Sequence, residues 1–93
     1  MASRDAAKAQ QFIDGCQAEV PFEDVPRAIG GYDEIIAADD VDAVYIPLPT
    51  GLRKEWVIKA ANAGKHVMCE KPCAVSHADL VEMTDACAAN NVQ

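Results

Sequence analysis

Large planar side chains are scarce in this chain. Two Tyr, two Phe and one Trp are all it has, so a core must be assembled from Val, Ile, Leu and many Ala. Such a core is thin, and 93 residues fit one domain at the small end of the usual range. Long apolar runs are lacking too. None approaches the roughly 20 residues of a membrane helix, and Met1 to Arg4 lead into polar sequence rather than a signal-peptide core. The expectation is a cytoplasmic or otherwise reducing location with no membrane partner. Basic residues are outnumbered by acidic ones, 8 to 15, and the net charge of −7 repels nucleic acid and anionic membranes alike. An anionic ligand would have to be met by local groups. Metal-binding spacing is missing as well. Cys16, Cys69, Cys73 and Cys87 form no CxxC pair and the two His add no ligand set, so reduced structural thiols and no metal site are expected.

What the chain does contain is an alternation of helical and extended signals. Ser3 is placed to cap a helix in which Ala6, Ala9, Ile13 and Cys16 recur at helical spacing, with Phe12 beside them and an end near Gly15. Residues 17–27 are irregular because Pro21 and Pro26 exclude a long element, and Ala28-Ile29 is at most a short strand before Gly30-Gly31. A short helix over Asp33 to Ala37 buries Ile35 and Ile36. Asp42 to Ile46, β-branched and aromatic, is a strand closed by Pro47-Leu48-Pro49-Thr50. The next helix, Leu52 to Ala63, presents Leu52, Trp56, Val57, Ala60 and Ala61 on one face and an i,i+4 pair, Glu55 and Lys59, on another. Gly64 is its C′ residue. Ser76 and Asp79 form a capping box for a last helix through Leu80, Met83, Thr84 and Cys87 to about Asn90, and Val92-Gln93 begins another extended segment.

A short apolar strand from Val67 to Cys69, expected to be buried on both sides, ends in Glu70, Lys71 and Pro72. Pro72 has no N–H for a ladder and biases Lys71 toward extended backbone, so the two charges are fixed at the strand's carboxyl end. In open parallel sheets ligands bind at that end. A solvated ion pair of little energetic worth is the plain alternative for Glu70 and Lys71. The alternation of elements argues an α/β fold with parallel strands, Asp42–Ile46 beside Val67–Cys69, joined by the Leu52–Ala63 crossover.

Three segments, Ala2-Ser-Arg4, Asp42-Ala-Val-Tyr-Ile-Pro-Leu-Pro-Thr50 and Lys65-His-Val-Met-Cys-Glu-Lys-Pro72, taken in order and each at a strand end, resemble the Gfo/Idh/MocA-type oxidoreductases. Those enzymes pair an amino-terminal Rossmann domain with a carboxyl-terminal substrate domain. The resemblance implies that residues 1–93 are a partial Rossmann domain, a doubly wound parallel sheet lacking its first two strands and the Gly-rich loop, with the substrate domain absent. Gly30-Gly31 follows no strong strand and is a poor substitute for that loop.

The resemblance also implies roles. Ser3 and Arg4 resemble an NADP-type signature, with no acid ahead of the helix where an NAD enzyme would hold the ribose, so NADP is the expected cofactor and NAD the other candidate. An N-cap with a solvated Arg is the alternative there. Pro47, Leu48, Pro49 and Thr50 would lie along the nicotinamide half of the dinucleotide, or serve only as a strand stop and a helix N-cap at Thr50. Where many members carry His shortly after the Thr or Asn, this chain has Arg53, which either loses that cofactor contact or makes a variant anion contact. Lys71 is the catalytic candidate, an electrostatic and proton-handling group near nicotinamide and substrate, with Glu70 orienting the ribose or Lys71 and Pro72 holding both.

The implied function is hydride transfer at nicotinamide C4 from or to a sugar, polyol or dihydrodiol-like small molecule bound through the missing domain. Whether the parent is a homo-oligomer stays open. Alternatives are a non-catalytic dinucleotide-domain relic acting as a regulatory or interaction module, and a plain structural α/β domain. Alone, the chain is expected to be marginally folded and inactive.

Overall fold

Asp5, and not Ser3, opens the first helix. The computed structural model describes all 93 residues as two compact units, Met1–Ala38 and Asp39–Gln93. In the first unit α1 spans Ala6–Glu19 and α2 spans Tyr32–Ala37. The Asp5 carboxylate accepts the Ala7 N–H at 2.8 Å, satisfying one of the free donors of the first turn. Ser3 is used otherwise: its N–H donates to Ile29 O at 3.1 Å and the Ile29 N–H to Met1 O at 2.9 Å, which builds a parallel bridge between Ala2 and Ile29. That pairing keeps Ser3 upstream of the first helical turn.

Helix α1 also runs one turn past its expected end near Gly15. A helical glycine costs only about 1 kcal/mol, whereas Pro21 cannot continue a helix at all. The element stops at Val20, whose N–H takes the Cys16 carbonyl at 2.8 Å. Ala9 and Ile13 are its buried residues, one turn apart, while Phe12 lies off that stripe and is 59% exposed. The glycine pair has a packing role. A Cβ on Gly30 would come within 3.1 Å of Ala6 Cβ, a tight contact that glycine avoids where α1 starts beside the Ile29 segment, and Gly31 is the N-cap residue of α2.

The second unit is a βαβα run: β1 Ala43–Ile46, α3 Thr50–Asn62, β2 His66–Cys69 and α4 His77–Ala89. Strands β1 and β2 are adjacent and parallel, as expected, with Ala43 opposite His66 and Ile46 opposite Cys69. Val44 and Ile46 are buried beneath α3, whose own buried residues include Val57, Ala60 and Ala61. Helix α4 packs on α3 and adds Met83 to the core. Lys54 ties the two helices together, its ammonium 2.9 Å from Asp79 and 2.7 Å from Glu82. Ser76 caps α4 by accepting the Asp79 N–H at 3.1 Å, as expected.

Both long helices of this unit end in the same way. Gly64, at φ +74°, and Asn91, at φ +54°, are the left-handed residues after α3 and α4. In each case the next residue bonds back into the helix, Lys65 N–H to Ala60 O at 3.0 Å and Val92 N–H to Cys87 O at 3.0 Å. The turn after α4 brings Gln93 to β2, where its carbonyl accepts the Val67 N–H at 2.6 Å.

One expectation for β2 fails. Val67 and Cys69 are half-buried, but the opposite face, where Tyr45 and Met68 sit side by side in register, is 55% and 68% exposed. Helix α3 packs on both strands while the Tyr45 and Met68 face stays exposed, so within this unit the sheet is covered on one side only.

Candidate functional site

Parallel pairing brings the carboxyl ends of β1 and β2 out side by side, and the loops leaving them, residues 47–49 and 70–72, carry most of the candidate residues. Arg53 joins these loops. It is 7% exposed; its Nε donates to Leu48 O at 2.5 Å and its Nη1 to Glu70 O at 2.8 Å and to Pro72 O. Carbonyls just past a strand end have no ladder partner, and a guanidinium on the first turn of α3 supplies donors for three of them. Three of its five N–H donors are thus given to backbone carbonyls of the two loops. A sequence signal for this existed. Arg53, Val57, Ala60 and Ala61 stand at i, i+4, i+7 and i+8, the buried stripe of α3. Leu52, expected on that face, is 46% exposed instead.

Glu70 and Lys71 do not form the plain ion pair. Glu70 Oε1 accepts from the Tyr45 hydroxyl at 3.1 Å and Oε2 from the Lys71 N–H at 3.1 Å, which occupies both oxygens with neutral donors. Lys71 is exposed and its ammonium has no carboxylate partner; the Lys71–Pro72 peptide is cis. Partial desolvation, and then the neighbouring Glu70 carboxylate, push the Tyr45 phenol above its ordinary range. Beneath the loop, burial and then Cys73 push the Cys69 thiol up, and Cys69 Sγ lies 3.6 Å from Glu70 O. No group of three or more His, Cys, Asp and Glu residues is arranged to hold a metal, and no helix is long and apolar enough to cross a membrane.

Thr50 is the first residue of α3 rather than its cap. Pro49 holds the N-cap position, its carbonyl accepting the Leu52 N–H at 2.9 Å, so the capping role considered for Thr50 is not used. Ser3 and Arg4 belong to the first unit, where Arg4 is exposed in the bend between the Ala2–Ile29 bridge and Asp5. An acid does precede α1, contrary to expectation, but as its N-cap: the Asp5 carboxylate is engaged by the Ala7 N–H.

The family model described as an oxidoreductase family with an NAD-binding Rossmann fold matches residues 1–93. The chain belongs to the Gfo/Idh/MocA family. Its two-stranded parallel unit is part of the doubly wound Rossmann fold of that family, with no closed sheet. Among its relatives is an NADP-type D-xylose 1-dehydrogenase of Haloferax volcanii, 42% identical over 94% of this chain and 25% of that protein. A dTDP-3,4-didehydro-2,6-dideoxy-alpha-D-glucose 3-reductase of Saccharopolyspora spinosa is 37% identical over 99% of this chain and 25% of that protein. Among solved structures, the 3-ketoreductase KijD10 of Actinomadura kijaniata, crystallised with NADP and TDP-benzene, superposes with a TM-score of 0.83 at 32% identity, covering 98% of this chain and 26% of KijD10. This Gfo/Idh/MocA chain thus spans about a quarter of the length of the curated relatives it matches.

Proposed function

We propose that the chain is the cofactor-binding part of an NADP-dependent oxidoreductase that moves hydride to or from a carbon of a sugar, polyol or nucleotide sugar. The observation that carries this is the free ammonium of Lys71 at the carboxyl end of β2, in a loop that Arg53 joins to residues 47–49. The relatives named above act on an aldose and a nucleotide sugar, and another is an NADP-type scyllo-inositol 2-dehydrogenase of Bacillus subtilis. A dihydrodiol-like substrate has no counterpart among them and is set aside.

The residues present fit the nicotinamide half of such a cofactor. Pro47, Leu48, Pro49 and Thr50 would line it as a stiff strand-end loop, with Glu70, Lys71 and Pro72 on the other strand end. Ser3 and Arg4 would meet the ribose 2′-phosphate, Arg4 with an exposed guanidinium suited to an anion. NADP, when bound, supplies the hydride acceptor or donor at nicotinamide C4. Lys71 holds a proton at Nζ and a positive charge where an alkoxide develops on substrate, which is worth most in the transition state. Glu70, held by the Tyr45 hydroxyl and by the Lys71 N–H, would orient the ribose or Lys71 itself.

The test is Lys71→Ala in the full-length enzyme carrying this domain, assayed by NADPH absorbance with a panel of aldoses and polyols. Turnover is expected to fall by roughly 10²–10⁴-fold with the NADPH dissociation constant nearly unchanged. Unchanged turnover with weaker NADPH binding would leave Lys71 a positioning group only, and no NADPH binding by the unaltered enzyme would remove the proposal.

A further inference from the structure

Arg53 is the one charged residue buried in this chain. A guanidinium is costly to desolvate unless its donors are taken up, and here three carbonyls take three of the five: Leu48 from one strand-end loop, Glu70 and Pro72 from the other. These carbonyls lie 5, 17 and 19 residues away in sequence, and the bonds therefore tie the two loops together beyond the last ladder bond, Glu70 N–H to Ile46 O. No buried side-chain nitrogen or oxygen is left without a partner. The planar fork is essential to this. Nε and Nη1 reach different loops at once, whereas the single nitrogen of a lysine cannot occupy both places.

We propose that Arg53 is a positioning residue that sets the orientation of the 47–50 loop against Glu70 and Lys71, and thereby fixes where the Lys71 ammonium stands. This rests on the NADP-binding role proposed for the two loops. Arg53 touches no reacting atom. It acts through the carbonyls on either side of Lys71, so displacing it frees both loops while leaving the strand register, which depends on β1–β2 hydrogen bonds, in place.

The experiment is hydrogen exchange followed by mass spectrometry on the full-length enzyme, with and without NADPH, for the unaltered protein, Arg53→Lys and Arg53→Met. Exchange in segments 47–51 and 69–74 is expected to rise by about tenfold or more in both variants, with residues 9–13 of α1 unchanged and NADPH-induced protection of the two loops lost. If Arg53→Met does not fold, the lysine variant, which keeps the charge, carries the test. Unchanged loop exchange in Arg53→Lys, with NADPH protection intact, overturns the role of Arg53 alone. A uniform rise that includes α1 overturns it too, because Arg53 would then be a general stabiliser. Absence of NADPH protection in the unaltered enzyme defeats the cofactor role and this proposal with it.

Discussion

The Tyr45 hydroxyl donates to Glu70 Oε1 across 3.1 Å, although Tyr45 is paired in register with Met68, two residues earlier on β2. The phenol side chain therefore leans along the exposed sheet face toward the strand end, and reaches the carboxylate whose other oxygen takes the Lys71 N–H. A residue of the open face is thus tied to the loop that carries Lys71.

This contact has a titration signature. Desolvation first, then Glu70, raise the Tyr45 phenol, so its contribution to stability is present below the ordinary tyrosine range and is lost as pH rises through the higher folded value. In a ¹³C-tyrosine NMR titration of the full-length enzyme, with the resonance assigned by Tyr45→Phe, Tyr45 should ionise above an ordinary tyrosine. Glu70→Gln should bring it down. A titration that Glu70→Gln leaves in place would break the link.

Cofactor preference should depend on Arg4. In the full-length enzyme Arg4→Ala is expected to weaken NADP by about ten- to a hundredfold, the worth of a charge-assisted contact to a phosphate, and to leave NAD nearly untouched. Dissociation constants for both cofactors from fluorescence titration decide it. Equal losses would show that Arg4 does not read the 2′-phosphate.

The link between α3 and α4 should respond to acid. Lys54 first, then Ser76, hold the Asp79 carboxyl below the usual carboxylate range, and Glu82 first, then Asp79, hold the Lys54 ammonium above its ordinary value. A depressed carboxyl stabilises above its unfolded pKa, and that share is lost as pH falls through the lower folded value. Both groups are solvent-screened, so the effect is small. Urea midpoints of the full-length enzyme between about pH 5 and pH 2 should fall less steeply for Asp79→Asn than for the unaltered protein. Parallel curves would mean that the pair contributes nothing.

As an isolated polypeptide, the 93-residue chain should melt broadly and show no upward shift with NADP. Tyr45, Met68, Phe12 and Val20 are exposed large apolar side chains. Each forfeits roughly 1.5–3 kcal/mol when left uncovered, against the ~5–15 kcal/mol margin of an ordinary domain. Circular dichroism and calorimetry test this directly, and a sharp transition raised by NADP would show that the chain builds a stable, cofactor-competent site unaided.

Local chemistry in the sequence was enough to determine the βαβα order, the stops at Gly64 and Pro72 and the capping box at Ser76 and Asp79. These depend on neighbours a few residues apart: proline removes a donor, glycine accepts a positive φ, and an oxygen three residues ahead of an N–H can take it. The cap at Asp5 in place of Ser3 was not local, because it follows from a backbone bridge to Ile29, 26 residues beyond Ser3. Tertiary structure alone decided the site. Which way Arg53 turns depends on three carbonyls that fall together only once β1 and β2 lie side by side, and the partner of Glu70 is a tyrosine 25 residues away in sequence. The one-sided cover of the sheet is of the same kind. Val67 to Cys69 has the apolar composition of a strand buried on both faces, but composition records what could be covered, and only the packing of α3 on one face decides what is.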